Sequence, residues 1–301
     1  MITSQPAHSI VRTIIQWATV RSPIRAVLLT STRAIPGAHI DALSDYDVIL
    51  IVEDIYPFVA DHTWLNDFGD VLIAYWDPIY PDPASGIDRC GNVTQYADGL
   101  KIDFNLWPVA LFEQTAAAPV LPAELDAGYR VLLDKDHLTA AMRPPTFTAY
   151  VPKSPSLAAY QTLINDFLSD VPYVAKCLWR DELLPAKWCL DYDMKYTYLR
   201  QLLEWRVEVD HGWSTPVGFL GKGLKRHLPR DIWTAFEQTY VGADLADNWE
   251  ALANTVALFR QVAVEVGTHL GYTYPHNLHQ RVSAYVEQIR QLKSSVDQPL
   301  E

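Results

Sequence analysis

Two hydrophobic rhythms divide the chain. Up to about residue 145, short apolar runs alternate with turn-rich connections; beyond it, apolar positions recur every three or four residues. Ile10, Ile14 and Trp17 have the spacing of one helix face within 7–20. Residues 24–29 read as a strand, followed by Thr30-Ser31-Thr32-Arg33 and a loop with Pro36 and Gly37. The run Val48-Ile49-Leu50-Ile51-Val52, closed by Glu53-Asp54, predicts a buried strand. Residues 57–68 read as helical, with Phe58, Trp64 and Phe68 apolar, and 70–76 as a third strand. The Pro- and Gly-rich segment 77–92 is expected to be a surface loop. Residues 92–97, Asp98-Gly99 and 100–107 give the strongest hairpin signal, since Asp-Gly supplies the positive φ angles of a tight two-residue turn. On its second strand, Ile102, Phe104 and Leu106 alternate with Lys101, Asp103 and Asn105, so one face is buried and the other carries Asp103. A last strand is expected over 129–133, ended by Asp134-Lys135-Asp136.

The proline-rich segment 143–155 has no apolar period and marks a boundary, giving domains 1–145 and 146–301. No strand is expected after it. Helices are expected over 156–182, 185–209, 222–240, 244–270 and 276–293. Ser156 suits an N-cap, Pro229 a first helical position and Gly271 a C-cap, while Pro172 should kink or split the first helix. The pattern is an α/β domain followed by a helical one.

Asp45 and Asp47 stand at the mouth of the buried strand. Residues i and i+2 of a strand point to the same side, so the two carboxylates project toward one spot. Like charges held so close are costly unless a cation lies between them, and an oxygen-only ligand set suits Mg²⁺. Asp103, on the polar face of a strand expected to neighbour this one, supplies a third carboxylate. Three carboxylates around one or two Mg²⁺ ions form a clamp for in-line phosphoryl transfer, the third free to bind metal, take a proton, or both. Thr30-Ser31-Thr32-Arg33 offers hydroxyls, backbone N–H groups and a guanidinium for a triphosphate. By itself such a turn is also what a polar loop with a solvated arginine looks like.

Composition narrows the partners. Of the 301 residues, 36 are Asp or Glu and 24 Lys or Arg, a net charge of −12. That disfavours nucleic acid and favours a cationic ligand. The 3 cysteines make no disulfide framework and point to a reduced, cytoplasmic setting. The opening residues 1–6 lack the basic start of a leader peptide, and no apolar run is long enough to span a membrane.

Several motifs together resemble the aminoglycoside 6-adenylyltransferases, also called streptomycin adenylyltransferases. They are Ser31-Thr32-Arg33, Asp45-Tyr46-Asp47-Val48, Trp64-Leu65-Asn66-Asp67-Phe68-Gly69, Asp98-Gly99-Leu100-Lys101-Ile102-Asp103-Phe104, Leu132-Leu133-Asp134-Lys135-Asp136, Leu203-Glu204-Trp205 and Gly221-Lys222. The resemblance implies an α+β chain: a polymerase-beta-like nucleotidyltransferase domain, with a mixed sheet flanked by helices, then an all-helical acceptor-binding domain. It implies that Asp45, Asp47 and Asp103 bind Mg²⁺ and carry catalysis. Ser31, Thr32 and Arg33 are expected to hold the phosphates of ATP, and Lys222 to add a phosphate contact. The acceptor implied is streptomycin or a relative. The family's usual Gly-Ser-Arg becomes Ser-Thr-Arg here; glycine permits a positive φ and close backbone approach, which Ser31 does not readily supply.

The acceptor residues are less defined. Asp191-Tyr192-Asp193 repeats the Asp-Tyr-Asp string, yet on a helix residues i and i+2 diverge by about 200°, so these two acids cannot share an ion. Trp188 and Asp191 are candidates for a polycationic sugar, with Glu182 and Glu204 as alternatives; each also reads as a solvated helix face. His276 and His279, at i and i+3, lack a third metal ligand and are expected to face solvent at a helix start.

Overall fold

A computed structural model describes residues 7–292; residues 1–6, and position 293 of the last expected helix, lie outside the described residues. The chain forms two compact units that divide between Ala149 and Tyr150.

The first unit is built on a seven-stranded mixed sheet. Its strands are β1 (Ile24–Thr30), β2 (Tyr46–Val52), β3 (Val71–Trp76), β4 (Tyr80–Pro81), β5 (Asp88–Tyr96), β6 (Lys101–Pro108) and β7 (Tyr129–Asp134). They run in the order β3-β5-β6-β2-β1-β7, with β4 paired to β5. Only β2 and β6 pair in parallel, which brings residues of two distant segments side by side pointing the same way. β2 lies inside the sheet and is buried on both faces, as its unbroken Val/Ile/Leu run requires. Val48, Leu50 and Val52 pack with Trp17 of α1 (Ala7–Thr19), Phe68 and Phe104. Ile49 and Ile51 pack on the other face with Trp107, Leu111 and Phe112. Around the sheet lie α2 (Tyr56–Ala60), α3 (Val109–Ala117) and α4 (Ala123–Asp126). The expected helix over 57–68 is broken into α2 and a 3₁₀ segment, Thr63–Phe68.

Two local expectations change. Segment 77–92 is not all loop: β5 begins at Asp88, and Cys90, Gly91 and Asn92 are buried in it. A Cβ at Gly91 would lie 2.4 Å from an Asp77 carboxylate oxygen, so a larger residue there would have to displace the Asp77 side chain. The β5–β6 hairpin turns through three residues, not two. The Tyr96 N–H donates to the Leu100 carbonyl, and only Gly99 (φ +96°) enters the positive-φ region, closing the loop as a bulge.

The second unit holds no strand among the described residues. Its helices are α5 (Leu157–Trp179), α6 (Leu183–Lys187), a π-helical stretch Trp188–Leu199, α7 (Arg200–His211), α8 (Leu224–His227), α9 (Arg230–Glu237), α10 (Leu245–Leu270) and α11 (His276–Gln291). Ser156 caps α5 through its hydroxyl, which accepts from the Ala159 N–H, and Gly271 ends α10 at φ +74°. Pro229 precedes α9 as its cap and is not its first helical residue. α5 continues through Pro172 without a break. Phe167 of α5 stacks on Phe259 of α10 with ring centroids 3.6 Å apart, at the centre of the unit's core. His279 is buried and bonded to the Tyr274 hydroxyl at 2.9 Å, so it is a core residue and not a solvated helix start. Among the described residues, no helix is long and apolar enough to cross a membrane.

Candidate active site

Register places the three N-terminal carboxylates. Asp47 of β2 lies directly opposite Asp103 of β6. Counting by twos, both share the sheet face that carries Ile49, Ile51 and Trp107 further along. Asp45, immediately before β2, belongs to the same face. Lys101, two residues before Asp103, does too. Its Nζ stands 2.6 Å from Asp45 Oδ2 and 2.9 Å from Asp103 Oδ2, bridging the two. The other oxygen of Asp103, Oδ1, is buried and has no hydrogen-bond partner. Asp47 forms no salt bridge among the described residues and receives a hydrogen bond from the Ser31 hydroxyl.

The electrostatics follow. Burial pushes the Asp47 carboxyl above the ordinary range, Asp103 and Asp45 add repulsion, and Ser31 offsets only part of it. Asp103 is also raised, chiefly by burial, which outweighs the hydrogen bond from Lys101. Burial pulls the Lys101 ammonium down, but its bonds to Asp103 and Asp45 more than compensate and its pKa is raised. Three carboxylates, one with an orphaned buried oxygen, form an oxygen-only donor set of surplus negative charge. That set fits a small hard divalent cation.

The turn after β1 is a 3₁₀ segment, Ser31–Ala34. Ser31 sits at φ +58°, in the left-handed region where glycine is at ease and serine is strained. The backbone keeps the glycine-like conformation, and the added hydroxyl reaches Asp47. Arg33 is employed locally: its guanidinium donates to the carbonyls of Asp45 (2.9 Å) and Ser44 (2.7 Å) and stacks 3.8 Å over the Tyr46 ring. It thereby fixes the backbone that presents Asp45. The Thr32 hydroxyl has no partner among the described residues.

The second unit carries the remaining candidates. Lys222 is exposed at the end of a tight loop whose Gly218, Leu220 and Gly221 all have positive φ. Trp188 is 61% exposed and stacks on Tyr192, which stacks on Tyr196, at 5.9 and 5.5 Å. Asp191 is neutralised between Lys187 (2.8 Å) and Lys195 (2.7 Å). Glu204 is tied to Arg200 at 2.5 Å, and Glu182 is exposed before α6. Sequence reasoning passed over Asp170, which with Cys189 and Asp193 brings two carboxylates and a thiol within 4.8 Å. Asp193 and Asp191 part company as expected. Sequence reasoning also passed over Lys101; its signal was its place on the same strand face as Asp103.

The streptomycin adenylyltransferase family profile matches residues 5–289. Aminoglycoside 6-adenylyltransferases of Campylobacter jejuni and Bacillus subtilis (strain 168) are each 28% identical. The first aligns over 93% of this chain and 93% of its own length, the second over 88% and 91%. A crystal structure of an aminoglycoside 6-adenyltransferase from Bacillus subtilis aligns with 96% of this chain and 100% of its own, at 24% identity and a TM-score of 0.44.

Proposed function

Because the chain belongs to the streptomycin adenylyltransferase family, a family of nucleotidyltransferases, we propose that it moves AMP from ATP to a hydroxyl of a streptomycin-like aminoglycoside and so inactivates the antibiotic. The observation that carries this reading is the face-to-face placement of Asp47 and Asp103, with Asp45 beside them and an oxygen of Asp103 buried without a partner. Asp45, Asp47 and Asp103 hold magnesium. When bound, magnesium neutralises phosphate charge and lowers the pKa of the attacking hydroxyl. The acceptor oxygen attacks the α-phosphorus in line; a new P–O bond forms as the bond to the β-phosphate bridge breaks, and pyrophosphate leaves. Asp103, its carboxyl raised by burial, is the nearest base in kind for the hydroxyl proton.

Ser31 and Thr32 hold phosphate oxygens with backbone N–H groups and the Thr32 hydroxyl. Arg33 adds charge from the guanidinium edge that does not face Ser44 and Asp45. Lys222, exposed and basic, is the phosphate contact from the second unit. That unit, which begins at Tyr150 where the sequence pattern put the boundary at 146, is the acceptor-binding domain expected over 146–301. The exposed Trp188–Tyr192–Tyr196 stack offers ring faces for a sugar, Glu182 an unneutralised acid and Asp191 hydrogen-bond acceptors already ordered by two lysines. The reaction takes place in the cytoplasm, where ATP is at hand.

The test is pyrophosphate release from Mg²⁺-ATP with a panel of aminoglycosides, streptomycin first, with product mass. Streptomycin-dependent release with one AMP added to the sugar is expected. Release of free AMP without acceptor, or no release with any member of the panel, would overturn the assignment.

A further inference from the structure

The two-cation clamp implied by three carboxylates meets an obstacle in the structure: one of its cation positions is filled by the protein itself. We propose that Lys101 is a permanent second cation of the active site, so that the chain needs one protein-bound divalent ion where three carboxylates would otherwise take two. The inference rests on the metal site proposed above.

Asp45 Oδ2 and Asp103 Oδ2 come from separate strands and converge on one point, and the Lys101 ammonium is at that point, 2.6 and 2.9 Å from them. A divalent ion ligated by the same two oxygens would overlap the ammonium and be repelled by it. The oxygens that Lys101 does not contact are Asp45 Oδ1, Asp103 Oδ1, buried without a partner, and those of the Asp47 carboxylate, which takes a hydrogen bond from the Ser31 hydroxyl. These make one cation position, not two. The three acids carry three negative charges; Lys101 offsets one, and a single divalent ion offsets the other two. The ammonium is also tethered by its own strand, since Lys101 is fixed by pairing with Gln95 of β5. It is a compact point charge with three donors, of a size to stand where a small cation would. Lys101 is therefore a positioning residue: it holds Asp45 and Asp103 at metal-like separation whether or not an ion is bound.

The experiment counts ions. Full-length protein, without nucleotide, is titrated with Mn²⁺ and followed by electron paramagnetic resonance. The wild type is expected to bind one Mn²⁺ with an uncoupled spectrum. Lys101→Met, similar in length but neutral, is expected to bind two, with the dipolar broadening of a close pair. Lys101→Arg keeps a charge between Asp45 and Asp103 and is expected to return to one. In turnover, Lys101→Met should need at least about 10-fold more Mg²⁺ for half-maximal rate and recover at high Mg²⁺; a purely structural lysine would lower the melting temperature without moving either count. Two coupled ions in the wild type, or one ion in Lys101→Met, overturns the proposal while leaving the metal site in place. No Mn²⁺ bound by the wild type, or unchanged binding in Asp47→Asn, overturns the metal site itself and the proposal with it.

Discussion

The tripeptide Asp-Tyr-Asp occurs twice, and the two copies have opposite fates. In Asp45-Tyr46-Asp47 the backbone enters a strand, so both acids reach one face and gather with Asp103. In Asp191-Tyr192-Asp193 the backbone is π-helical, and the acids separate: Asp191 lies between two lysines and Asp193 joins Asp170 and Cys189. The tyrosines diverge as well. Tyr46 is buried under Arg33, and Tyr192 is exposed within an aromatic stack. Identical chemistry gathers at one candidate catalytic centre or is split between a lysine-bound acid and a separate cluster, according to backbone period.

The comparison breaks most sharply in activity. Asp47→Asn is expected to lower the adenylylation rate by about 1,000-fold, equivalent to ~4 kcal/mol of lost transition-state stabilisation. Asp191→Asn should stay within about threefold once the folded fraction is corrected for. If a folded Asp191→Asn protein were as inactive as Asp47→Asn, the second copy would have to do more than offer the acceptor a hydrogen bond.

Stability should rank the two copies the other way. Lys195 is fully buried, and without Asp191 its charge keeps only the Thr239 carbonyl at 2.5 Å and the Tyr240 ring. Asp191→Asn should therefore cost about 1–2 kcal/mol in a denaturant titration, less than for a fully buried pair because the Asp191 side chain is partly exposed and Asn keeps an acceptor. Asp47→Asn, in chelator, should instead raise the melting temperature by a few degrees, since ~1 kcal/mol moves a domain of this size by about 2–4 °C. The sign follows from linkage. The folded state holds the Asp47 proton to a higher pH than the unfolded chain, whose ordinary value is 3.8. Stability is thus lost as pH rises from 3.8 through the raised folded value, and the penalty persists at neutral pH. The advantage of Asn over Asp should accordingly shrink as pH falls toward 3.8. A gain independent of pH would refute that cause.

The smallest effect is expected at Ser31. Ser31→Gly removes left-handed strain worth ~1 kcal/mol but loosens the unfolded chain by a comparable amount, so net stability should change by less than about 1 kcal/mol. Losing the hydroxyl should raise the Asp47 carboxyl further, which a shift in the acid limb of the pH–rate profile would report.

How far the sequence foretold this depends on range. β2 was legible as an unbroken apolar run and β6 by its period-2 alternation, both local patterns, and Asp98-Gly99 announced the hairpin. The start of β5 was hidden because Asp88-Arg89-Cys90-Gly91 carries turn residues and little apolar content; its strand is stabilised by pairing with β4 and β6, which is not a local property. The site was legible as far as Asp45, Asp47 and Asp103. The bridge from Lys101 was not, because it depends on the β2–β6 register; nor was the hold of Arg33 on the Asp45 backbone, which is a backbone contact that no side-chain pattern records. The pairing of Asp191 was not legible, because nothing in a helical pattern states that Lys187 and Lys195, four residues to either side, both turn toward it.

The parallel pairing of β2 with β6 has a consequence in time. Lys101 and Asp45 are separated by 56 residues, and between them the chain must lay down β3, β4, β5 and a hairpin. Contacts of such range are made late, after loop closure has been overcome. On an emerging chain, the first two carboxylates appear well before the strand that completes them, and no partial site with partial activity can exist on the way. Catalytic competence should arrive as one event, when the β6 strand docks beside β2, and recovery of activity during refolding should lag behind the appearance of β structure measured by circular dichroism.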